Sequence, residues 1–227
     1  MLSGYYDRQL AAERLRRCYE IASPAVRAYL EAEIEHLAGR VASLETAAGR
    51  VLELGCGYGR VLARVARPGL ELWGIDTSLA SLRLAARSPG PRAHLAAMNA
   101  VRLGFRDGAF DAVACVQNGI SAFGVERLAL LREAVRVTRP GGLVLFSTYA
   151  ARFWPERLAW FEAQAAHGLI GEIDRDATGD GIIVGKDGFR ATTVGPAEFR
   201  RLAAALGLEP RLEEVGGSSL FCELRPR

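Results

Sequence analysis

Short apolar runs alternate with helical patterns from about residue 49 to residue 148. This alternation predicts a parallel sheet with helices on both faces, and therefore an α/β fold. Five strands are expected in this region, over residues 51–54, 70–76, 94–98, 110–116 and 143–148. Residues that end or cap the intervening helices are Pro68-Gly69, Thr77 or Ser78, and Arg139-Pro140-Gly141-Gly142.

The end of the chain adds a helix over residues 196–206 and two strands over residues 208–215 and 219–224. Gly216 and Gly217 lie between these strands and are typical of a tight turn. The last strand is therefore expected to be the antiparallel partner in a hairpin. The whole pattern predicts seven strands.

A long amphipathic helix is predicted before the sheet region. Ser23 is a suitable N-cap, and Pro24 suits the first helical position. The pattern leaves two interpretations open: the apolar stripe packs against the sheet of its own domain, or it forms a dimer interface. Apolar residues recur at spacings of three and four at Val26, Leu30, Ile34, Leu37, Val41 and Leu44.

A second segment outside the sheet pattern covers residues 151–194, which begin as a helix and continue as short strands broken by turns at 178–181 and 186–188. It leaves the fifth strand at its carboxyl end, where open α/β sheets bind ligands. We therefore divide the chain into an N-terminal helical cap, 1–48, and a main domain, 49–227, with 151–194 as an insertion or lid. The aromatic residues of the insertion helix either enclose a substrate or bury the helix against the sheet: Phe153, Trp154, Trp160 and Phe161.

A candidate ligand-binding site lies at the ends of the first two predicted strands. The first strand ends in Gly55, Gly57 and Gly59, and the next strand ends in Asp76. Glycines at this spacing let the backbone turn sharply and approach a ligand, and an acid at the neighbouring strand end can accept both ribose hydroxyls. The pattern therefore indicates a cofactor that contains adenosine. Glu53 lies two residues before the first glycine, and its carboxylate favours a cationic ligand over a pyrophosphate.

These residues resemble the first two cofactor motifs of the class I S-adenosylmethionine-dependent methyltransferases. The resemblance implies a Rossmann-like, doubly wound sheet of seven mostly parallel strands with an antiparallel last strand. It also implies S-adenosylmethionine as the cofactor. We expect in-line methyl transfer to a small-molecule acceptor, and a protein or RNA acceptor stays open. Residues 49–148 carry the resemblance strongly and the C-terminal hairpin loosely, so that 49–227 is expected to be the methyltransferase domain.

Carried over residue by residue, the resemblance places Glu53 near the methionine amino group and Asp76 at the ribose. Asn99 stands where the family more often has Asp beside the adenine, and its amide oxygen can still accept a hydrogen bond from the adenine amino group. Gln117 and Asn118 either contact the ligands or satisfy loop backbone. The expected cofactor-binding residues are Glu53, Gly55, Cys56, Gly57, Tyr58, Gly59, Asp76, Thr77, Asn99, Ala100, Gln117 and Asn118.

No catalytic base is singled out by the sequence. A methyl group on positively charged sulfur is already activated, so the transfer needs mainly a nucleophile held about 3 Å away with water excluded. An alcohol or phenol acceptor would benefit from a base, whereas a neutral amine, a thiolate or an enolate needs none. Weak candidates for a base are His167, Tyr6 and Tyr149.

Charge and cysteine usage narrow the remaining possibilities. The formal net charge is +3, and the 29 basic and 26 acidic residues are interspersed, so nucleic acid is not the expected partner. The four cysteines form no CxxC pattern, and neither a metal site nor a disulfide framework is expected. There is no secretory signal pattern and no apolar run of about 20 residues, which predicts a cytoplasmic protein without a membrane span. A monomer or a homodimer is expected, since the apolar stripe of the N-terminal helix is compatible with either.

Two other functions remain open at this point. One is an NAD(P)-dependent oxidoreductase, which the GxGxG spacing and Glu53 disfavour. The other is a catalytically silent module that binds S-adenosylmethionine without transferring its methyl group.

Overall fold

The structure is a computed structural model that describes residues 5–44, 49–88 and 92–227. A π-helical turn, Tyr5–Gln9, precedes the first helix, and a 3-10 turn, Ala151–Phe153, precedes the seventh. The helices are α1 Glu13–Glu20, α2 Pro24–Ala42, α3 Arg60–Val65, α4 Leu79–Arg87, α5 Gly119–Ala122, α6 Arg127–Val137, α7 Trp154–Ala166 and α8 Pro196–Ala204. The strands are β1 Gly49–Leu54, β2 Leu70–Asp76, β3 Ala93–Ala97, β4 Phe110–Cys115, β5 Thr138–Tyr149, β6 Ile183–Val184, β7 Arg190–Ala191, β8 Arg211–Val215 and β9 Ser219–Leu224.

Seven strands form one sheet in the order β3-β2-β1-β4-β5-β9-β8. The first five are parallel, and β9 enters antiparallel between β5 and β8. Gly216 and Gly217, with φ angles of 60° and 65°, form the turn between β8 and β9, because glycine adopts positive φ without steric cost. The predicted fold and the predicted hairpin are confirmed.

The carboxyl ends of β2, β1 and β4 lie side by side because these strands are neighbours in the sheet. Glu53 of β1 is paired in register with Gly74 of β2 on one side and with Ala114 of β4 on the other. A Cβ atom at Gly74 would lie 2.8 Å from the Sγ of Cys56. Glycine at this point of β2 therefore lets the loop after β1 pack directly against the neighbouring strand.

Helix α2 begins as the sequence predicts. The Oγ of Ser23 accepts a hydrogen bond from the backbone N–H of Val26, and Pro24 occupies the first turn. Its predicted apolar stripe is buried within this chain, which agrees with packing in its own domain and explains the stripe without a dimer. The boundary expected for the N-terminal cap at residue 48 lies outside the described residues.

The insertion and the later strands differ in extent from the prediction. Helix α7 is present, but the strands that follow it, β6 and β7, have only two residues each and form a separate sheet. Strand β5 begins at Thr138, five residues earlier than expected, so that the Arg139-Pro140-Gly141-Gly142 segment lies in the strand just after α6 ends. A Cβ at Gly142 would come within 2.8 Å of the backbone oxygen of Asp111, and glycine thus permits the close pairing of β5 with β4.

All four cysteines are buried and free of disulfides. Burial raises the pKa of Cys18 and of Cys222 to about 12. In the described ranges, no group of three or more His, Cys, Asp and Glu residues is arranged to hold a metal ion. No helix in those ranges is both long and apolar enough to cross a bilayer.

Candidate active site

A cavity of about 1160 Å³ lies at the carboxyl ends of β1, β2 and β4. The glycine loop after β1 and Asp76 at the end of β2 line it. Residues of the N-terminal segment, 5–19, and aromatic residues of α7 line it as well. The sheet and the two segments outside it therefore share this cavity, which we call the central cavity.

The glycine loop holds a backbone conformation that other residues rarely adopt. Gly55, Gly57 and Gly59 have φ angles of 73°, 53° and 83°. A Cβ at Gly55 would lie 2.4 Å from the Cζ of Phe123, so any other residue there would have to displace the Phe123 ring. The backbone N–H groups of Gly55 and Cys56 both donate to the carbonyl of Ile75, at 2.8 and 2.9 Å, which fixes the loop to β2.

Asp76 holds the glycine loop and faces the central cavity. One of its carboxylate oxygens accepts from the backbone N–H of Gly57 at 2.9 Å, and the other accepts from the N–H of Ser78 at 2.8 Å. Burial raises the pKa of this carboxyl, and the two backbone hydrogen bonds oppose that effect. A carboxylate offers about four lone-pair sites, so Asp76 keeps acceptor capacity for hydroxyl groups of a ligand.

Glu53 lies on the cavity wall at the end of β1 and is only 5% exposed. Its Oε2 atom has no hydrogen-bond partner among the described residues. Burial raises the pKa of Glu53 to about 8; the positive charge of Arg60 lowers it and the negative charge of Asp76 raises it further. A buried carboxyl with a free oxygen is suited to a cationic, hydrogen-bonding ligand group.

Arg60, the first residue of α3, lies on the same wall. Its guanidinium carbon stands 4.6 Å from the ring centroid of Tyr19 in α1. The hydroxyl of Tyr19 donates to the Oε1 of Gln117 at 3.3 Å. Among the described residues, the Nε and Nη2 of Arg60 and the Nε2 of Gln117 are buried without a hydrogen-bond partner.

Gln117 and Asn118 follow β4 in the left-handed conformation, with φ angles of 57° and 62°. The backbone N–H of Gln117 is shared between the Oε2 of Glu33 at 2.7 Å and the Oγ of Ser147 at 2.8 Å. The side chain of Gln117 lines the cavity, whereas Asn118 is buried beside it.

The amide of Asn118 is occupied by protein groups. It accepts from the hydroxyl of Thr148 at 2.8 Å and donates to the carbonyl of Thr192 at 2.9 Å. These contacts join the loop after β4 to β5 and to the segment after β7, and ligand contact by Asn118 stays a prediction.

Most of the residues predicted to bind the cofactor are brought together on the cavity wall, with Gly59 and Asn118 outside it. Asn99 lies on the wall, and its Oδ1 accepts from the N–H of Val101 at 3.0 Å. The hydroxyl of Thr77 is bonded to Asp7 of the N-terminal segment. The predicted residues on the wall are Glu53, Gly55, Cys56, Gly57, Tyr58, Asp76, Thr77, Asn99, Ala100 and Gln117.

The three candidates for a catalytic base lie at different positions relative to the central cavity. His167 is exposed just after α7, away from the cavity wall, with its Nδ1 2.8 Å from the carbonyl of Ala163. Tyr6 and Tyr149 line the cavity, and burial raises the pKa of each of them. A raised pKa opposes loss of the phenol proton, so neither tyrosine is suited to act as a base at neutral pH.

The aromatic side of the cavity includes Trp160 and Phe161 of the insertion helix. The indole N–H of Trp160 donates to the carbonyl of Cys18 at 2.9 Å, so the insertion is fastened to α1. Trp154 lies outside the wall, where its ring is 5.6 Å from the guanidinium carbon of the buried Arg157. The predicted insertion aromatics are therefore divided between the cavity and the core.

Sequence reasoning missed Arg60, Tyr19 and Glu33 as contributors to this site. Arg60 had a local signal, because it directly follows the last glycine of the loop. Tyr19 and Glu33 reach the site by packing between elements distant in sequence, which no local pattern shows.

The comparison with protein families matches residues 51–142 to a family described as a methyltransferase domain. This match confirms, for that segment, the resemblance deduced from its motifs. A search of curated proteins found no match.

Solved structures with the same fold include a protein of Pyrococcus horikoshii, 23% identical, which aligns over 96% of this chain and 100% of that chain with a TM-score of 0.71. A protein of Methanosarcina mazei described as an S-adenosylmethionine-dependent methyltransferase is 22% identical over 82% and 96% of the two chains, with a TM-score of 0.62. The magnesium protoporphyrin IX methyltransferase of Synechocystis, solved with bound S-adenosylhomocysteine, is 16% identical over 98% and 97%, with a TM-score of 0.68. At these identities the similarity shows the fold.

Proposed function

We propose that this chain, whose residues 51–142 match a family described as a methyltransferase domain, is a class I S-adenosylmethionine-dependent methyltransferase that transfers the methyl group to a small-molecule acceptor. One observation carries the proposal. The glycine loop and the aromatic residues of the insertion face one cavity of about 1160 Å³. Sites for one small ligand usually measure about 300–1,000 Å³, so the central cavity has room for a cofactor and an acceptor side by side.

The residues present fit this cofactor. Glu53 offers a buried, free carboxyl oxygen for an ammonium group, and Asp76 offers remaining acceptor sites for ribose hydroxyls. A Cβ at Gly57 would lie 3.3 Å from the Cδ2 of Leu15, so glycine there lets the N-terminal segment pack against the loop. A dinucleotide fits less well, because Glu53 beside the glycine loop repels a pyrophosphate once it is ionised and gives it no positive partner when it is protonated.

When bound, S-adenosylmethionine supplies a methyl group on positively charged sulfur. The aromatic side of the cavity then orients the acceptor opposite that sulfur and excludes water. Because burial raises the pKa of Tyr6 and of Tyr149, we propose that the acceptor is itself nucleophilic at neutral pH or releases its proton to solvent. Tyr6 and Tyr149 donate hydrogen bonds to it rather than act as bases.

We further propose that residues 1–48 and the insertion 151–194 act together as a two-part cap that selects the acceptor. Three contacts support a joint cap: Trp160 donates to Cys18, Tyr5 is bonded to Asp187, and the guanidinium of Arg14 donates to the carbonyl of Leu169 at 2.8 Å. The described part of the N-terminal segment is thus fastened to the insertion.

Incubation with methyl-labelled S-adenosylmethionine and a cell extract, followed by separation of the extract, tests the proposal. The label is expected in the small-molecule fraction. Label in protein or RNA would contradict the acceptor class, and binding of S-adenosylmethionine without any transfer would indicate a silent module. A parallel titration with NADH should show no binding; tight binding of NADH would favour an oxidoreductase.

A further inference from the structure

We infer that the methyl acceptor is an aromatic anion, and that the side-chain amide of Gln164 donates a hydrogen bond to its charged group. The inference rests on the proposed function and names the chemical class of the acceptor: a flat ring that carries a carboxylate or another group ionised at neutral pH. It makes Gln164 a residue that determines acceptor specificity.

The buried face of helix α7 carries two polar residues among its aromatic ones: Arg157, Trp160, Phe161 and Gln164. Counted from Arg157, these positions are three, four and seven residues apart, so they share one side of the helix. Trp160, Phe161 and Gln164 line the central cavity. Helix α7 therefore presents two aromatic rings and one amide to a ligand.

The amide of Gln164 lacks a partner in the described part of the chain. Its side chain is only 2% exposed and lines the central cavity, yet no described residue forms a hydrogen bond with it. Its amide atoms are also not among the polar atoms that the protein encloses without a partner, so they are open to the cavity. Buried polar groups are nearly always paired, and a ligand in the cavity can supply the missing partner.

Other polar groups on this wall are already occupied by the protein. The indole N–H of Trp160 donates to the carbonyl of Cys18 at 2.9 Å, and the hydroxyl of Thr192 accepts from Arg127 at 2.8 Å. The open amide of Gln164 thus stands out as a binding group for the acceptor.

The aromatic neighbours of Gln164 favour a flat ligand. The ring centroids of Trp160 and Phe161 are 5.7 Å apart, and both side chains are buried. Aromatic faces and edges make their best contacts with other rings, which also exclude water from the wall. A ring against these two side chains would place a polar substituent within reach of the Gln164 amide.

The charge beside this wall favours an anion. Arg157 is 1% exposed and forms no ion pair with any described carboxylate. Its guanidinium donates only to the carbonyls of Gly181 at 2.8 Å and Thr192 at 3.3 Å. These contacts hold the insertion together, but neutral carbonyls leave the positive charge without a counter-ion. Buried charges are normally paired, because removing them from water is costly.

The charge of Arg157 acts on groups in the central cavity. Its guanidinium carbon lies 4.6 Å from the ring centroid of Tyr149 and 5.8 Å from that of Phe161, and both residues line the cavity. Burial raises the pKa of Tyr6 and of Tyr149, and the charge of Arg157 opposes this rise. An anionic acceptor at this wall is therefore attracted, whereas a cationic amine is repelled.

The rest of the insertion adds no acid to the wall. Besides the α7 residues, it contributes Gly188, Arg190 and Thr192, and Arg190 is exposed. The carboxylates of Glu53 and Asp76 belong to the strand ends, where the proposed cofactor binds. The cavity thus offers acids to a cationic cofactor and positive charge to the acceptor.

Fractionation of a cell extract tests the charge of the acceptor with the unaltered protein. The small molecules of the extract are separated on an anion exchanger at pH 7, and each fraction is then incubated with methyl-labelled S-adenosylmethionine. Most of the label should enter compounds that the exchanger had retained, and the product should absorb ultraviolet light as aromatic rings do. Label mainly in compounds from the flow-through, or in a product without such absorbance, would overturn the inference.

Two substitutions test the contact made by Gln164, with dilutions of the retained fraction as the acceptor and S-adenosylmethionine at saturation. Gln164→Met keeps the length of the side chain and removes the donor. It should raise the apparent KM about tenfold to a hundredfold, as expected for a hydrogen bond to a charged group, and leave the Kd for S-adenosylhomocysteine within about twofold. Gln164→Glu should raise the apparent KM further, and more at pH 8 than at pH 6, because an ionised carboxylate repels an anion.

A matched control is Glu156→Met, because Glu156 lies on the exposed face of α7 and away from the cavity wall. It should change neither the apparent KM nor the Kd for S-adenosylhomocysteine.

The outcomes separate this inference from the proposed function. An unchanged apparent KM in Gln164→Met, or a Gln164→Glu variant that uses the acceptor as well as the unaltered protein does, would overturn the inference alone. If Gln164→Met does not fold, Gln164→Glu and the fractionation still decide. Absence of label from every small molecule would overturn the proposed function.

Discussion

The buried carboxyl of Glu53 predicts that cofactor affinity depends on pH. Burial raises its pKa to about 8, so the free protein holds this group mostly protonated at pH 7. An ammonium ligand pairs with the ionised form, and each pH unit below the pKa costs about 1.4 kcal/mol, or a factor of about ten, to ionise the acid. The affinity for S-adenosylhomocysteine should therefore rise about tenfold per unit as pH increases from 6 towards 8, and then level off.

The assay is calorimetric titration with S-adenosylhomocysteine at several pH values, in pairs of buffers with different ionisation enthalpies. Near pH 7, binding should release close to one proton, because the ligand draws Glu53 into its charged form. Glu53→Gln keeps the size of the side chain and removes the titration. It should bind more weakly than the unaltered protein at pH 8, with little change in affinity between pH 6 and pH 8.

Two results would refute this reasoning. A flat affinity profile in the unaltered protein would show that Glu53 is not the ammonium partner or that it is already ionised at pH 6. A slope that persists in Glu53→Gln would assign the proton to another group. Circular dichroism and thermal unfolding of the variant at each pH separate either result from a loss of structure.

Three other substitutions and one stability measurement give further tests. Gly57→Val should abolish S-adenosylhomocysteine binding while the protein keeps its native circular dichroism spectrum. The control Gly207→Ala, also at positive φ but with open space around it, should bind normally. Normal binding by Gly57→Val would show that the glycine loop is not part of the binding site. Asp76→Ala should weaken binding by about 1–3 kcal/mol in calorimetry, and unchanged affinity would mean that Asp76 does not hold the ribose. Trp160→Phe should change turnover or acceptor choice and keep the Kd for S-adenosylhomocysteine within a few fold; a parallel loss of both would place Trp160 in the cofactor site. Glu33→Gln should raise the Tm more at pH 8 than at pH 5. Burial raises the pKa of Glu33 in the folded state to about 7 from an ordinary 4.5, so the unaltered protein loses stability as pH rises between those values. An equal shift in Tm at both pH values would contradict this.

The sheet could be predicted closely from local patterns. Strands β2 and β9 have the predicted bounds. In each case the apolar run is bounded by polar residues or by residues typical of a turn. The start of β5 could not be predicted, since Pro140 and two glycines normally end regular structure. Pairing with β4, made possible by the missing side chain at Gly142, overrides that local preference.

The site could be predicted only where its residues lie next to strand ends. The glycine loop and Asp76 have fixed places in the α/β fold, so their meeting follows from the sheet order. The roles of Tyr19 and Glu33 depend on how helices from the N-terminal region pack over the sheet. Gln117 lines the cavity, whereas its neighbour Asn118 bonds to Thr148 and Thr192. The sequence does not show which of two adjacent loop residues faces a ligand.

The burial of every cysteine makes this chain a convenient background for site-specific spectroscopy. All four thiols are shielded, and burial holds their pKa values well above neutral, so reagents that attack thiolates have little to react with in the folded protein. A single cysteine introduced at the exposed Leu79 would then carry a fluorophore or spin label by itself. With a second label on the insertion, the distance between the two labels would report directly on movement of the cap relative to α4 during ligand exchange.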